Sequence, residues 1–132
     1  MLKLGVIGVG NMATAILGGI LKNNVISPEQ IMLCDKHPER HEELYSKGIV
    51  KAVDECDVVK NCEFVLLSIK PQGFADMLEK IKPHCSENNV FISIAAGISG
   101  DYIKSALGYD AKVILVMPNT PVSLGFGTSA LA

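Results

Sequence analysis

The sequence predicts an α/β fold built on a doubly wound, mainly parallel sheet with helices on both faces. Apolar runs of strand length alternate with stretches of helical period along the chain, and the first run ends in a glycine-rich turn. The run Phe64–Ile69 is continuous and β-rich, as expected for a parallel strand buried on both faces. Right-handed crossovers between such strands place ligands at the carboxyl ends of the strands.

The individual elements follow from apolar spacing, capping residues and chain breakers. Strands are predicted at Leu2–Gly8, Ile31–Cys34, Ile49–Val53, Phe64–Ile69, Val90–Ile94 and Lys112–Met117. Helices are predicted at Ala13–Leu21, from Pro38 to Lys47 before Gly48, after the N-cap Asp54, at Phe74–Ile81 and at Ser99–Leu107 before Gly108. Val122–Ala132 is compatible with one more strand at the sheet edge.

Length and charge limit the possible functions. A chain of 132 residues suffices for one domain with a single core, so we expect one folding unit over residues 1–132. A net charge of −2 provides no basic face for nucleic acid or for an anionic membrane. No apolar run reaches the ~18 residues of a membrane span, and the N-terminus enters strand pattern directly, so we expect a cytoplasmic protein.

The cysteines and histidines give no sign of a metal site. Cys34, Cys56, Cys62 and Cys85 show no C-x-x-C spacing, so free thiols are expected. The three histidines, His37, His41 and His84, lie in charged, turn-like or helical-surface sequence. We therefore expect solvated imidazoles without a functional role.

The turn after the first strand is a candidate cofactor site. Gly8, Gly10, Asn11, Met12 and Ala13 belong to a G-x-G-x-x-A motif between a predicted strand and a predicted helix. Gly8 permits a tight turn, Gly10 lets the backbone approach a pyrophosphate, and Ala13 keeps the helix close to the sheet. Free N–H donors and the positive end of the helix dipole would face the phosphates.

Asp35 ends the second strand, where a carboxylate can accept hydrogen bonds from the adenosine ribose and repel a 2′-phosphate. Read alone, Asp35 favours NAD. Lys36, His37 and Arg40 follow, and any of them can either meet a phosphate or simply be solvated. The choice between NADH and NADPH stays open, with a preference for NAD.

Three further segments follow predicted strands. Ser68, Lys70 and Pro71 close the fourth strand, either as a strand stop or as a cofactor contact. The small residues Ala95, Ala96 and Gly97 follow the fifth strand, where they allow a flat ring to approach the backbone or serve tight packing. In Met117–Pro121 two prolines bracket Asn119 and Thr120, which makes a rigid loop that presents polar side chains.

The whole chain resembles the N-terminal Rossmann domain of pyrroline-5-carboxylate reductases. The resemblance is carried by LGVIGVGNMATAI at Leu4–Ile16, LLSIKPQ at Leu66–Gln72, ISIAAGIS at Ile92–Ser99 and VMPNTPVSLGFG at Val116–Gly127. It implies hydride transfer from NADPH or NADH to the C=N bond of 1-pyrroline-5-carboxylate, which gives L-proline.

The resemblance also implies roles for residues of this chain. Gly8–Ala13 would hold the pyrophosphate, and Ser68, Lys70 and Pro71 would line the ribose and nicotinamide side. Ala95–Gly97 would pack near the nicotinamide, and Asn119 and Thr120 would border the substrate site. The family continues into an all-helical domain that dimerises and supplies most of the substrate-binding residues.

The chain departs from the family pattern at three positions and in length. Leu115 stands where members often have arginine, Glu55 where many have an asparagine beside the adenosine, and Asp35 where NADPH-preferring members have an uncharged residue. None of the helical domain is included in the 132 residues, and the chain stops after Leu131–Ala132 without a polar tail. We therefore expect a fragment of a longer, homo-oligomeric reductase that is inactive alone.

Two alternatives remain. One is another Rossmann reductase of similar layout, such as a 3-hydroxyacid dehydrogenase or an NADP-dependent coenzyme F420 reductase, although these give no reason for the MPNTP stretch. The other is a catalytically silent nucleotide-binding module, which tight cofactor binding by a naturally short gene product would support.

Overall fold

A computed structural model describes residues 2–94 and 97–116. Its strands are β1 (Leu2–Ile7), β2 (Ile31–Cys34), β3 (Val50–Lys51), β4 (Cys62–Leu67), β5 (Val90–Ser93) and β6 (Lys112–Leu115). Its α-helices are α1 (Asn11–Lys22), α2 (Glu42–Ser46), α3 (Glu55–Asn61), α4 (Phe74–Ile81) and α5 (Gly100–Leu107). Short 3-10 segments lie at Pro28–Gln30, Pro38–His41, Pro71–Gly73 and Lys82–His84. None of the described helices is both long and apolar enough to cross a membrane.

The strands form one sheet in the order β3-β2-β1-β4-β5-β6, and every neighbouring pair is parallel. The chain winds outward from β1 in one direction and then from β4 in the other. The direction of winding therefore reverses between β1 and β4, which makes their carboxyl ends the topological switch point. The predicted fold class is confirmed.

Each face of the sheet carries its own apolar core. On one face, Ala13 and Leu17 of α1 pack with Leu4 and Val6 of β1. On the other face, α3, α4 and α5 bury a larger cluster against the sheet. In α4 the buried residues are Phe74, Met77, Leu78 and Ile81, the spacing of a one-sided helix. Helices on both faces thus follow directly from the apolar periodicity.

Local capping chemistry fixes several helix ends. The Asp54 carboxylate accepts from the Asp57 amide at 3.0 Å, and the Asp57 carboxylate accepts from the Val53 amide at 3.0 Å. This reciprocal arrangement satisfies donors at the start of α3. The Ser99 hydroxyl accepts from the Tyr102 amide at 3.0 Å, and Gly108 ends α5 with φ of 83°. The predicted N-cap Asp54 and the predicted stop at Gly108 are confirmed.

Two predicted elements differ from the structure. The third strand, predicted at Ile49–Val53, is reduced to Val50–Lys51, because the Val53 amide bonds the Asp57 side chain instead of extending the ladder. The helix predicted after Pro38 begins as a 3-10 turn, Pro38–His41, and becomes α-helical only at Glu42. The other described elements agree with their predicted limits within about two residues, a normal uncertainty for such limits. Val122–Ala132 lies outside the described residues.

Asn89 ties together the amino end of the sheet. Its side chain is buried, and its amide nitrogen donates to the carbonyls of Val59 at 3.0 Å and Cys62 at 2.8 Å. Its amide oxygen accepts from the Ser86 N–H at 2.9 Å. One side chain therefore joins the end of α3, the start of β4 and the turn before β5.

Replacement of Asn89 by alanine should lower the free energy of unfolding by about 3 kcal/mol, because two buried carbonyls and one N–H lose their partner. Urea denaturation followed by circular dichroism measures the loss. Asn88→Ala is the matched control, since Asn88 is exposed in the same turn. Equal stability of the two variants would show that the Asn89 bonds contribute little.

Candidate dinucleotide-binding site

The strand register brings four predicted segments to one edge of the sheet. Ile7 of β1 lies beside Cys34 of β2 and Leu67 of β4. Leu67 in turn lies beside Ser93 of β5. The residues that follow, among them Gly8, Asp35 and Ser68, therefore share the carboxyl edge, at and beside the switch point.

The first glycine of the motif is required by the fold itself. Gly8 has φ of 84°, in the left-handed region, and its amide donates to the Cys34 carbonyl at 2.8 Å. A Cβ at this position would lie 2.4 Å from Ile69 Cγ2 and 3.1 Å from the Ile69 backbone nitrogen. Gly8 thus allows the chain leaving β1 to pass close to the chain leaving β4.

Among the described residues, nothing in the packing requires the second glycine. Gly10 has φ of −96°, which any residue adopts, and a Cβ there would have no atom of residues 2–94 or 97–116 within 4 Å. It is the N-cap of α1 but provides no side-chain hydrogen bond, and the first turn of α1 has no acidic residue. The space next to Gly10 and the first N–H groups of α1 are therefore suited to an anion that approaches the backbone.

Other residues of the motif are consistent with that geometry. Ala13 is fully buried, so the helix lies close to the sheet as the motif predicts. Met12 is exposed beside Gly10, and Asn11 supplies the first residue of α1.

Ser68 joins the two strands that flank the switch point. Its amide donates to the Ile7 carbonyl at 3.0 Å, and its hydroxyl donates to the Gly8 carbonyl. Since a hydroxyl has a single hydrogen, the oxygen of Ser68 keeps lone pairs for a further donor. Ser68 therefore holds the glycine turn in place, a structural contribution that the sequence did not indicate.

Lys70 and Pro71 lie just beyond Ser68 and are exposed. Pro71 occupies the first position of the 3-10 segment Pro71–Gly73, and Lys70 is its N-cap. The proline thus ends the extended chain where the sequence predicted. The Lys70 ammonium lies on the same edge as the glycine turn and adds a positive charge to it.

Asp35 is paired with His41, a histidine that the sequence predicts to be solvated. His41 Nε2 lies 2.5 Å from Asp35 Oδ2, and the side chains are only 10% and 18% exposed. The Lys36 amide donates to the other carboxylate oxygen at 2.9 Å. The expectation that His41 is a solvated surface residue is therefore wrong. The 3-10 turn Pro38–His41 folds the ring back onto Asp35, six residues earlier, a separation that neither helical nor strand periodicity signals.

Acidic groups surround the end of β2. Burial, followed by the negative charges of Glu55 and Asp54, raises the pKa of the Cys34 thiol to about 12. Glu55, one of the departures from the family pattern, is held by Lys80 of α4 at 2.8 Å. Glu55 stands where many family members have an asparagine, and its carboxylate thus already has Lys80 as a cationic partner.

All four cysteines are free thiols. Burial raises the pKa of Cys62 and of Cys85 to about 12 as well, so these thiols are protonated at neutral pH and poor nucleophiles. Residues 2–94 and 97–116 contain no group of three or more His, Cys, Asp or Glu side chains placed to hold a metal ion.

Several predicted site residues lie outside the described part of the chain, namely Ala95, Ala96, Asn119 and Thr120. Gly97 is described: its φ is 81°, and none of the other described residues would lie within 4 Å of a Cβ there. Gly97 thus follows β5 in a conformation that favours glycine, beside open space.

The strand order and the glycine turn at the switch point define a Rossmann-type nucleotide-binding domain. The chain belongs to the family described as NADP oxidoreductase, coenzyme F420-dependent, whose model matches residues 3–97. It is also similar to pyrroline-5-carboxylate reductase of Staphylococcus aureus (strain COL), with 35% identity over 133 aligned positions that cover 99% of this chain and 49% of the relative. The predicted resemblance is confirmed, and the chain spans about half the length of the curated relatives it matches.

Solved structures agree. The pyrroline-5-carboxylate reductase of Coxiella burnetii superposes with a TM-score of 0.83 at 28% identity, over 92% of this chain and 46% of that one. Pyrroline carboxylate reductase of Plasmodium falciparum, a structure with NADP bound, gives 0.77 at 26% identity, over 91% of this chain and 43% of that one.

Proposed function

We propose that this chain is the cofactor-binding half of a pyrroline-5-carboxylate reductase of proline biosynthesis, and that it binds NADPH or NADH. The observation that carries the proposal is the open space at Gly10 beside the uncapped start of α1, at the switch point of the sheet. Gly8 is explained by packing, whereas no contact among the described residues explains Gly10, which fits a group that comes close to the backbone. The similarity to pyrroline-5-carboxylate reductases, one of them a structure with NADP bound, supports a nicotinamide dinucleotide as that group.

The residues of the carboxyl edge fit the parts of such a cofactor. The turn Gly8–Ala13 would bind the pyrophosphate, and Asp35 and Lys36 would face the adenosine ribose. Ser68, Lys70 and Pro71 would line the nicotinamide ribose, with Ala95–Gly97 and Asn119 near the nicotinamide. When bound, the cofactor supplies the hydride that reduces the C=N bond of 1-pyrroline-5-carboxylate to L-proline.

The protein itself positions the reactants. In this proposal residues 1–132 form one cofactor domain, and Asn119 and Thr120 border the substrate. The groups that hold the substrate carboxylate and imine come from a helical domain of a longer parent protein, which also forms the homo-oligomer. A cytoplasmic location stays a prediction.

Binding and turnover measured on the same sample test the proposal. NADPH or NADH is titrated into the 132-residue chain by calorimetry, and formation of proline from 1-pyrroline-5-carboxylate is followed with the same nucleotide. We expect saturable binding without turnover, because half of the active-site wall belongs to the other domain. Failure to bind either nucleotide would refute the cofactor assignment, and turnover by this chain alone would refute the two-domain division.

A chimeric protein tests whether this chain is the cofactor-binding half of a reductase or a catalytically silent nucleotide-binding module. In it, this chain replaces the matching segment of the S. aureus reductase, and the same chimera with Gly10→Val is the control. We expect proline formation only with Gly10 present. A chimera that melts cooperatively and binds NADPH but forms no proline would favour the silent module.

A second candidate is reduction of NADP by reduced coenzyme F420, which the family description over residues 3–97 favours. The chimera experiment includes an arm with reduced F420 and NADP in place of the imine. Oxidation of F420 without proline formation would select this candidate.

A further inference from the structure

The Asp35–His41 pair bears on which dinucleotide the site accepts. A carboxylate at the end of β2 ordinarily binds the adenosine ribose hydroxyls and repels a 2′-phosphate. Here both oxygens of that carboxylate contact protein groups. His41 Nε2 lies 2.5 Å from Oδ2, and the Lys36 amide donates to Oδ1 at 2.9 Å. Asp35 is therefore not the isolated anion that its position suggests.

The charge around Asp35 depends on this partner. In its protonated form, the His41 imidazole places a positive charge in contact with the carboxylate, so that the pair has no net charge when viewed from the cofactor. Lys36 and Arg40 follow Asp35 in the sequence and are exposed. Their positive charges are then no longer neutralised by the Asp35 carboxylate. An edge with that charge suits the two negative charges of a 2′-phosphate.

Most of the other titratable groups near Asp35 are neutral or paired. Burial, and then the charge of Asp35, raises the pKa of Tyr45 on α2, and the Cys34 pKa is raised to about 12, so both groups are neutral near pH 7. The charge of Glu55 on α3 is balanced by Lys80 at 2.8 Å, and Glu39 lies 3.4 Å from His37. Asp54, the N-cap of α3, adds a negative charge on that side.

We propose that His41 is a specificity-determining residue of the cofactor site: by pairing with Asp35 it removes the repulsion of a 2′-phosphate and allows the site to accept NADPH as well as NADH. The inference rests on the proposed function and adds the discrimination between the two cofactors. It assigns a role to a residue that lies outside the glycine motif and outside the segments that carry the family resemblance.

The test compares the dissociation constants of NADPH and NADH for the wild-type chain and for H41Q, by nucleotide fluorescence. Glutamine keeps a hydrogen-bond donor but cannot carry the charge. We expect H41Q to weaken NADPH binding about tenfold, as the loss of one charge–charge interaction that is largely screened by solvent would, while the NADH dissociation constant changes less than about threefold. H41K, which restores a positive charge, should recover most of the NADPH affinity.

Asp35 and His41 should act as one unit. In a D35N background the carboxylate charge is gone, so adding H41Q should no longer alter the ratio of the two dissociation constants. H84Q is the matched control, because His84 is exposed in the 3-10 segment Lys82–His84, which leads to the amino end of β5. H41N serves as the second neutral variant where H41Q does not fold.

The outcomes are distinct. A fall of the NADPH-to-NADH preference in H41Q, absent in H84Q and in the D35N background, supports the inference. Equal weakening of both nucleotides would mean that His41 only stabilises the loop and would overturn the proposal, and so would two unchanged dissociation constants. If the wild-type chain binds neither nucleotide, it is the proposed function that fails.

Discussion

Gly10→Val should reduce dinucleotide affinity at least about a hundredfold while lowering the free energy of unfolding by only about 1 kcal/mol, the cost of a poorer N-cap for α1. Among the described residues, no atom lies within 4 Å of a Cβ at position 10, so the valine should cause little steric strain there. It would instead fill the space through which a pyrophosphate approaches the first turn of α1. Calorimetric titration with NADPH and urea denaturation measure the two effects on one preparation.

Gly18→Ala is the matched control for Gly10→Val. Gly18 lies in the same helix with equally open surroundings, but two turns from the glycine motif. The alanine should raise helix stability by about 0.5–1 kcal/mol and leave nucleotide affinity unchanged. Retained affinity in Gly10→Val would show that the first turn of α1 is not the phosphate site.

Gly8→Ala should lower the free energy of unfolding by about 3 kcal/mol. Part of the cost comes from forcing alanine to a φ of 84°, and the rest from a Cβ placed 2.4 Å from Ile69 Cγ2 and 3.1 Å from its backbone nitrogen. Because the backbone nitrogen belongs to the chain leaving β4, the clash cannot be relieved by a rotamer change alone. Thermal and urea denaturation measure the loss.

Gly108→Ala isolates the conformational part of that cost. Gly108 has nearly the same φ, 83°, but its nearest neighbour is the end of the flexible Lys82 side chain at 3.1 Å. We expect a loss of only about 1 kcal/mol there. If the two alanine variants are equally stable, the contact between the β1 and β4 chains is not the reason for Gly8.

Local signals in the sequence predicted much of the fold. Asp54 and Gly108 cap helices through bonds to residues only a few positions away, and α4 buries one helical face, so spacing alone reveals them. Parallel pairing in a doubly wound sheet follows from the alternation of strands and helices and from crossover handedness, whereas the strand order comes from the structure. The two site glycines could also be predicted from the sequence, because Gly8 and Gly10 act through the backbone of a single turn.

The features that the sequence did not reveal depend on contacts between distant segments. Ser68 bonds the Gly8 carbonyl across 60 positions, and Lys80 holds Glu55 across 25. Asn89 reaches 30 positions back to Val59. His41 is close to Asp35 in sequence, but an irregular turn brings them together, and no periodic pattern marks such a turn.

Dinucleotide binding at the carboxyl edge can be tested most directly by following the backbone amide resonances of the isotope-labelled chain during titration with NADPH. Saturable shifts should concentrate at Gly8, Gly10, Asp35, Ser68 and Gly97, while Asn89 at the opposite edge stays unchanged. Shifts confined to the amino edge, or none at millimolar NADPH, would contradict a cofactor site at the β1–β4 switch point.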